Sequence, residues 1–139
     1  MLDIKIDLND VKHNFEAGGI KFADNAFETA VKDMITTCTD ENGNFNGIFG
    51  VLGRDYEKDG VTISMTNVSH KITNIDTKTM MADVRILDTP NGKILQQLFT
   101  DNQVHPTINA MGNTSDNGDG IKVANISQLF SIDFDINRK

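Results

Sequence analysis

Any chemistry in this chain would have to come from its serines, histidines, lone cysteine or paired carboxylates. Serine stands at 64, 69, 115, 127 and 131, histidine at 13, 70 and 105, and cysteine only at 38. A hydroxyl becomes a nucleophile when a base lies within hydrogen-bond reach. Ser69 and His70 are neighbours in sequence, but successive side chains on a strand point to opposite faces, which predicts that they do not pair. No Gly-x-Ser-x-Gly turn presents a serine. Cys38 ends an apolar helical stripe and reads as a small core residue. Asp133 and Asp135 share one face of the last strand, expected to be the solvent face. There is no HExxH, no CxxC and no phosphate-cradling glycine loop, so neither a metal nor a cofactor is expected. Residues 112–120, GNTSDNGDG, look like a calcium loop through Asp116, Asn117 and Asp119, yet lack the spaced ligands and closing glutamate. They are expected to form a surface loop.

The elements that must position these residues follow from periodicity. Leu2, Ile4, Ile6 and Leu8 alternate with Asp3, Lys5 and Asp7, a half-buried strand. After Gly18-Gly19, Asp24 is expected to cap a helix whose stripe is Phe27, Val31, Met34, Ile35 and Cys38. Residues 39–47 (TDENGNFNG) form a polar turn. Strands are expected over 48–52, 61–65, 68–75 and 79–87, the last with Met80, Ala82, Val84 and Ile86 inward. Asp88-Thr89-Pro90 starts a second helix with Ile94, Leu95, Leu98 and Phe99 on its apolar stripe, and Asn102 stops it. Short strands over 106–111, 121–126 and 129–136 close the chain. This predicts one α+β domain over 1–139, a curved sheet or closed β-barrel with about two flanking helices.

Composition sets outer bounds. The 139 residues are 38% hydrophobic and 24% charged, ordinary for a globular chain, and one cysteine permits no internal disulfide. Thirteen basic against twenty acidic residues give a net charge of −7, which disfavours nucleic acid and anionic membrane as partners. No apolar run approaches a membrane span and the first residues lack a basic-then-apolar leader, while the lone cysteine makes an intracellular, reducing setting the expectation.

Three stretches resemble the prohead (capsid maturation) protease family of tailed bacteriophages. IKFADNAFETAVKDMI is followed by FGVLGRDY, where the family has a strand ending in Gly-Glu-Leu-Gly/Asn-His-Pro. NVSHKITNI, followed by MMADVRILDTPNGKILQQL, is similar to the family's Asn-Val-Ser-His-x-Ile and Leu-Asp-Thr-Pro-x-Gly. VHPTINAMGNTS stands where the family has Gly-Val-Ser-x-Arg-Gly with its nucleophile. The resemblance spans roughly residues 20–115 and implies the assemblin-like barrel with packed helices.

The departures matter as much. The family's histidine position reads Arg54, its serine position Asn109 and its arginine position Met111. Asparagine supplies no nucleophile, and a guanidinium stays protonated and cannot act as base. His70 matches the Ser-His-x-Ile strand rather than the catalytic histidine, and is expected to be half-buried. His105, four residues before Asn109, is the one histidine expected near the degenerate site. The resemblance therefore implies no enzyme but a virion structural or head-assembly protein, a decoration or accessory subunit. It would bind phage capsid or scaffold proteins through strand faces and the loops at 39–47 and 112–120, in the virion or the host cytoplasm, with a homo-oligomer among the options. Two alternatives stand beside this. One is a divergent serine protease using Ser115, or Ser69 with a histidine. The other is a host-directed module that sequesters a nucleotide or protein, for which Arg54, Lys58, Lys71, Arg85 and Lys93 look too scattered.

Overall fold

The computed structural model describes residues 2–53, 63–64, 66–116, 118 and 122–137. In chain order the elements are β1 (Leu2–Asp7), α1 (Leu8–Glu16), β2 (Ile20–Phe22), α2 (Ala26–Thr37), β3 (Ile48–Val51), β4 (Val68–Asp76), β5 (Met81–Ile86), α3 (Pro90–Thr100), β6 (Val104–Asp116) and β7 (Lys122–Ile136). Two sheets form, of order β1-β5-β4-β3 and β2-β7-β6. The first is antiparallel throughout. In the second, β2 runs parallel and β6 antiparallel to the long central β7.

The sheets meet at a seam rather than closing into a barrel. Leu52 bridges Phe134, and the Gly53 N–H donates to the Phe134 carbonyl at 2.8 Å. Among the described residues β1 and β6 do not pair, so each remains an outer strand.

Among the described residues three helices replace the expected two. The alternation through Leu8 hid α1, whose own signal is Asp7: its carboxylate accepts from the Asn9 N–H at 2.9 Å and caps the helix. Leu8 and Val11 then bury at helical spacing. α2 follows the predicted stripe, burying Phe27, Ala30, Val31 and Met34. Its N-cap is Asn25 in the left-handed region (φ 60°), without a side-chain cap bond, in place of Asp24. α3 begins at Thr89-Pro90 as expected, and Asn102 stands past its end at φ 56°. Only part of its stripe is inward: Leu95 is fully buried, while Ile94 is 52% exposed.

The C-terminal third is one long hairpin where a short strand, a loop and two further strands were expected. β6 and β7 pair continuously from Val104↔Ile136 to Asp116↔Lys122, so residues 112–116 are strand. The register skips Ser127 and Phe130, two bulges on β7. Each bulge re-phases the alternation, which keeps Ala124, Ile126, Leu129, Ile132 and Phe134 on the core side. A strict two-residue period cannot show that, which is why the stretch reads as separate strands. Of the predicted strand at 61–65, Ile63 and Ser64 lie outside any strand, and the rest falls outside the described residues.

Candidate functional site

At the seam, two buried polar clusters face each other's strands. The first begins with Gly50, which pairs with His70 across β3 and β4. A Cβ at Gly50 would collide with the His70 ring and with the Ile132 carbonyl. Its absence lets the imidazole pass over β3 to β7, where Nε2 meets the Ile132 carbonyl at 2.7 Å. A carbonyl only accepts, so Nε2 carries the proton and Nδ1 offers its lone pair. Nδ1 lies 2.7 Å from the Ser69 hydroxyl, which donates to it.

Ser69 and His70 therefore do pair, against expectation. The register runs Gly50↔His70 and then Val51↔Val68, leaving Ser69 as the extra residue of a β-bulge. The bulge breaks the alternation that would have set the two side chains on opposite faces. His70 is also fully buried rather than half-buried, and so is Ser69. The ring packs edge-on to Phe134, with centroids 4.9 Å apart. Desolvation lowers its pKa from 6.5 to about 4, against a smaller upward push from the Ile132 hydrogen bond. The imidazole is neutral at neutral pH, closed to solvent, and ties the two sheets together.

Asp133 anchors the second cluster. Expected at the surface, it is 1% exposed. Its Oδ1 accepts from the Val51 N–H at 3.1 Å and from the Ser131 hydroxyl at 3.0 Å. The same face of the sheet carries Asp133 and Ser131, both buried, on β7 and Thr107, Asn109 and Met111 on β6. Asn109 stands opposite Ser131, and its Nδ2 is buried without a hydrogen-bond partner. Met111, two residues on, is 55% exposed. His105 shares this face but is not brought to Asn109: four strand residues separate them by roughly 13 Å. Its Nδ1 is instead 2.6 Å from Asn137 Oδ1. Arg54 lies outside the described residues.

Elsewhere the expected chemistry disperses. Cys38 is half-buried beside a cavity of about 510 Å³ between α2 and β7, and burial raises its thiol pKa. Among the described residues no three His, Cys, Asp or Glu cluster as metal ligands. Asp116 belongs to β6, while Asn117 and Asp119 lie outside the described residues. Lys71 sits 5.2 Å over the Phe49 ring, Arg85 bonds Asp3 at 3.0 Å and Lys93 lies 3.6 Å from Asp88, three separate places. Lys58 is outside the described residues. No helix among them is long and apolar enough to cross a membrane.

The motif residues of the second stretch work as a staple between β4 and α3. Thr89 Oγ1 accepts from the Gly92 N–H at 3.0 Å, capping α3, and donates to the Val68 carbonyl at 2.6 Å. Asn91 Nδ2 donates to the Asn67 carbonyl at 3.1 Å, and the Leu87 N–H to the Ser69 carbonyl at 3.0 Å. A Cβ at Gly92 would collide with the Leu87 carbonyl, so the turn admits only glycine without rearrangement. Thus the Asn-Val-Ser-His and Leu-Asp-Thr-Pro-x-Gly segments touch each other, and their residue types answer to folding.

No family model and no curated protein matches the sequence. Among solved structures, the chain is similar to the bacteriophage T4 capsid assembly protease, gp21. The match has a TM-score of 0.62 at 16% identity and covers 86% of this chain and 72% of that one. This is the protein class that the NVSHKI and LDTPNG segments resemble. The chain has the fold of a capsid assembly protease.

Proposed function

We propose that the chain is a catalytically inactive, prohead-protease-like protein that serves phage head assembly as a decoration or accessory subunit. The observation that carries this reading is the shared fold over 86% of the chain. Asn109 supports the inactive half of it. The position that resembles the family's serine holds an amide, opposite Ser131 and far along the strand from His105. Its partners would be capsid or scaffold proteins, met through the exposed end of the β6–β7 hairpin and the turn at 39–47. Mass spectrometry of purified virions and of heads stalled before DNA packaging tests this. A fixed copy number in mature particles marks a structural subunit, and presence only in precursors marks an assembly helper. Absence from both refutes the proposal.

One observation favours a second reading, a divergent serine hydrolase: the 2.7 Å contact of Ser69 Oγ with His70 Nδ1. Full burial of both residues opposes it. A fluorophosphonate probe should leave the protein unlabelled; labelling that disappears in Ser69→Ala would establish the hydrolase instead.

A further inference from the structure

β6 is the outer strand of its sheet, and among the described residues nothing pairs with its free edge. Outer strands usually carry charge or proline that keeps other strands away. β1, the outer strand of the other sheet, follows that rule with Asp3, Lys5 and Asp7. Residues 107–115 of β6 do not: they hold no charge and no proline, in a chain of net charge −7. Ala110 to Asp116 are all exposed.

The side chains on the polar face of this edge read the same in both directions. In order they are Thr107, Asn109, Met111, Asn113 and Ser115: hydroxyl, amide, apolar, amide, hydroxyl. A two-fold interface requires that kind of self-complementarity, because residue i must suit residue j and j must suit i. An antiparallel pair centred on Met111 sets Met111 against its own copy, Asn109 against Asn113 and Thr107 against Ser115. Thr107 against Ser115 is a favourable cross-strand pairing, and no like charges meet anywhere in the row. The same operation on β1, centred on Lys5, would oppose lysine to lysine and Asp3 to Asp7.

We propose that β6 is a homodimerisation strand: two copies pair antiparallel about a two-fold axis at Met111, joining their three-stranded sheets into one of six. This stands independently of the role in head assembly. The interface is small, so the dimer is weak and concentration-dependent. Because both copies carry −7, association tightens as salt screens their repulsion.

Sedimentation equilibrium up to several hundred micromolar should show the 15.3 kDa species doubling in mass, more so at high salt. Met111→Lys, at an exposed position, should stay folded by circular dichroism and remain monomeric. Register is tested by oxidation in a Cys38→Ala background. Paired antiparallel residues have Cα atoms about 4.5–5.5 Å apart, within disulfide range, so Met111→Cys should cross-link to its copy. Asn113→Cys should form that link at least tenfold more slowly, because the two copies of residue 113 would be roughly 13 Å apart. Equal or faster cross-linking of Asn113→Cys overturns the register. A monomer at every concentration, with no Met111→Cys cross-link, overturns the dimer.

Discussion

Replacing Gly50 by alanine tests the seam directly. The new Cβ would occupy the path of the His70 imidazole and lie 2.7 Å from the Ile132 carbonyl oxygen, so the ring must leave or β3 must shift. Displacing the ring breaks its 2.7 Å bond to that carbonyl and leaves a buried N–H and C=O unpaired, worth about 1–3 kcal/mol. Forcing a methyl into a filled core adds about 1–3 kcal/mol. The sum, about 2–6 kcal/mol, is a large share of the roughly 5–15 kcal/mol that a domain of this size has. Urea unfolding followed by circular dichroism, with the slope checked for constancy, reads the difference. A second variant isolates the cause. In a His70→Ala background the alanine at 50 meets only the carbonyl, so its cost should fall by at least about 1 kcal/mol. A Gly50→Ala cost below about 1 kcal/mol, or full additivity with His70→Ala, would refute the idea that the glycine exists to let the histidine through.

Thr89→Val keeps the shape but loses both the helix cap and the bond to the Val68 carbonyl; unfolding should show about 2–3 kcal/mol of destabilisation. His70 should make stability fall with acid. Its folded pKa, about 4, lies below the unfolded value near 6.5, so between these limits the unfolded chain binds the extra proton. The His70 contribution is complete above about pH 6.5 and fades by about 3 kcal/mol as pH falls to about 4, and His70→Ala should remove that slope from a pH series of urea midpoints. Leu95→Ala should cost about 2–5 kcal/mol, while Ile94→Ala, one residue away and half-exposed, should stay within about 1 kcal/mol in the same assay.

Much of the fold was legible because it rests on local rules. The α2 stripe, the inward set Met80, Ala82, Val84 and Ile86, and the Thr89-Pro90 start of α3 all follow from periodicity and capping chemistry. What stayed hidden are departures from period two. The extra residue at Ser69, and those at Ser127 and Phe130, reverse the facing of every side chain beyond them until the next correction. Those reversals put Ser69 and His70 in contact and fused two predicted strands into β7. The inward turn of Asp133 had another cause: it lies across from β3, where the Val51 N–H needs an acceptor. No count along β7 alone can reveal a strand arriving from 82 residues away. α1 was missed for a simpler reason. Its cap, Asp7, also fits the alternation of β1, and the two patterns overlap at Leu8.

The residues that carry the family resemblance and those that depart from it lie in different places, and this separates fold from chemistry. Asn67, Val68, Thr89, Asn91 and Gly92 lock α3 to β4, and Gly50 with His70 locks the first sheet to β7. Substitution there is expensive whatever the protein does, so a chain with this fold retains such residues on physical grounds alone. Asn109 and Met111 sit on β6, which the backbone ladder ties to β7. The strand is exposed from Ala110 on, and there its residue types can change at little cost to the fold. It is also where Thr107, Asn109, Met111, Asn113 and Ser115 make their symmetric row. The two positions that stand where the resembled pattern has serine and arginine, Asn109 and Met111, are one of its two amides and its centre. Under the proposed inactive role, the absence of a serine at 109 and the self-pairing row go together. A serine at 109 would break the amide pair with Asn113, and an arginine at 111 would set two cations against each other at the axis. Asn109→Ser should therefore weaken the proposed dimer and Met111→Arg abolish it, both leaving the monomer folded. Dimers unaffected by both would show that the row is only a surface.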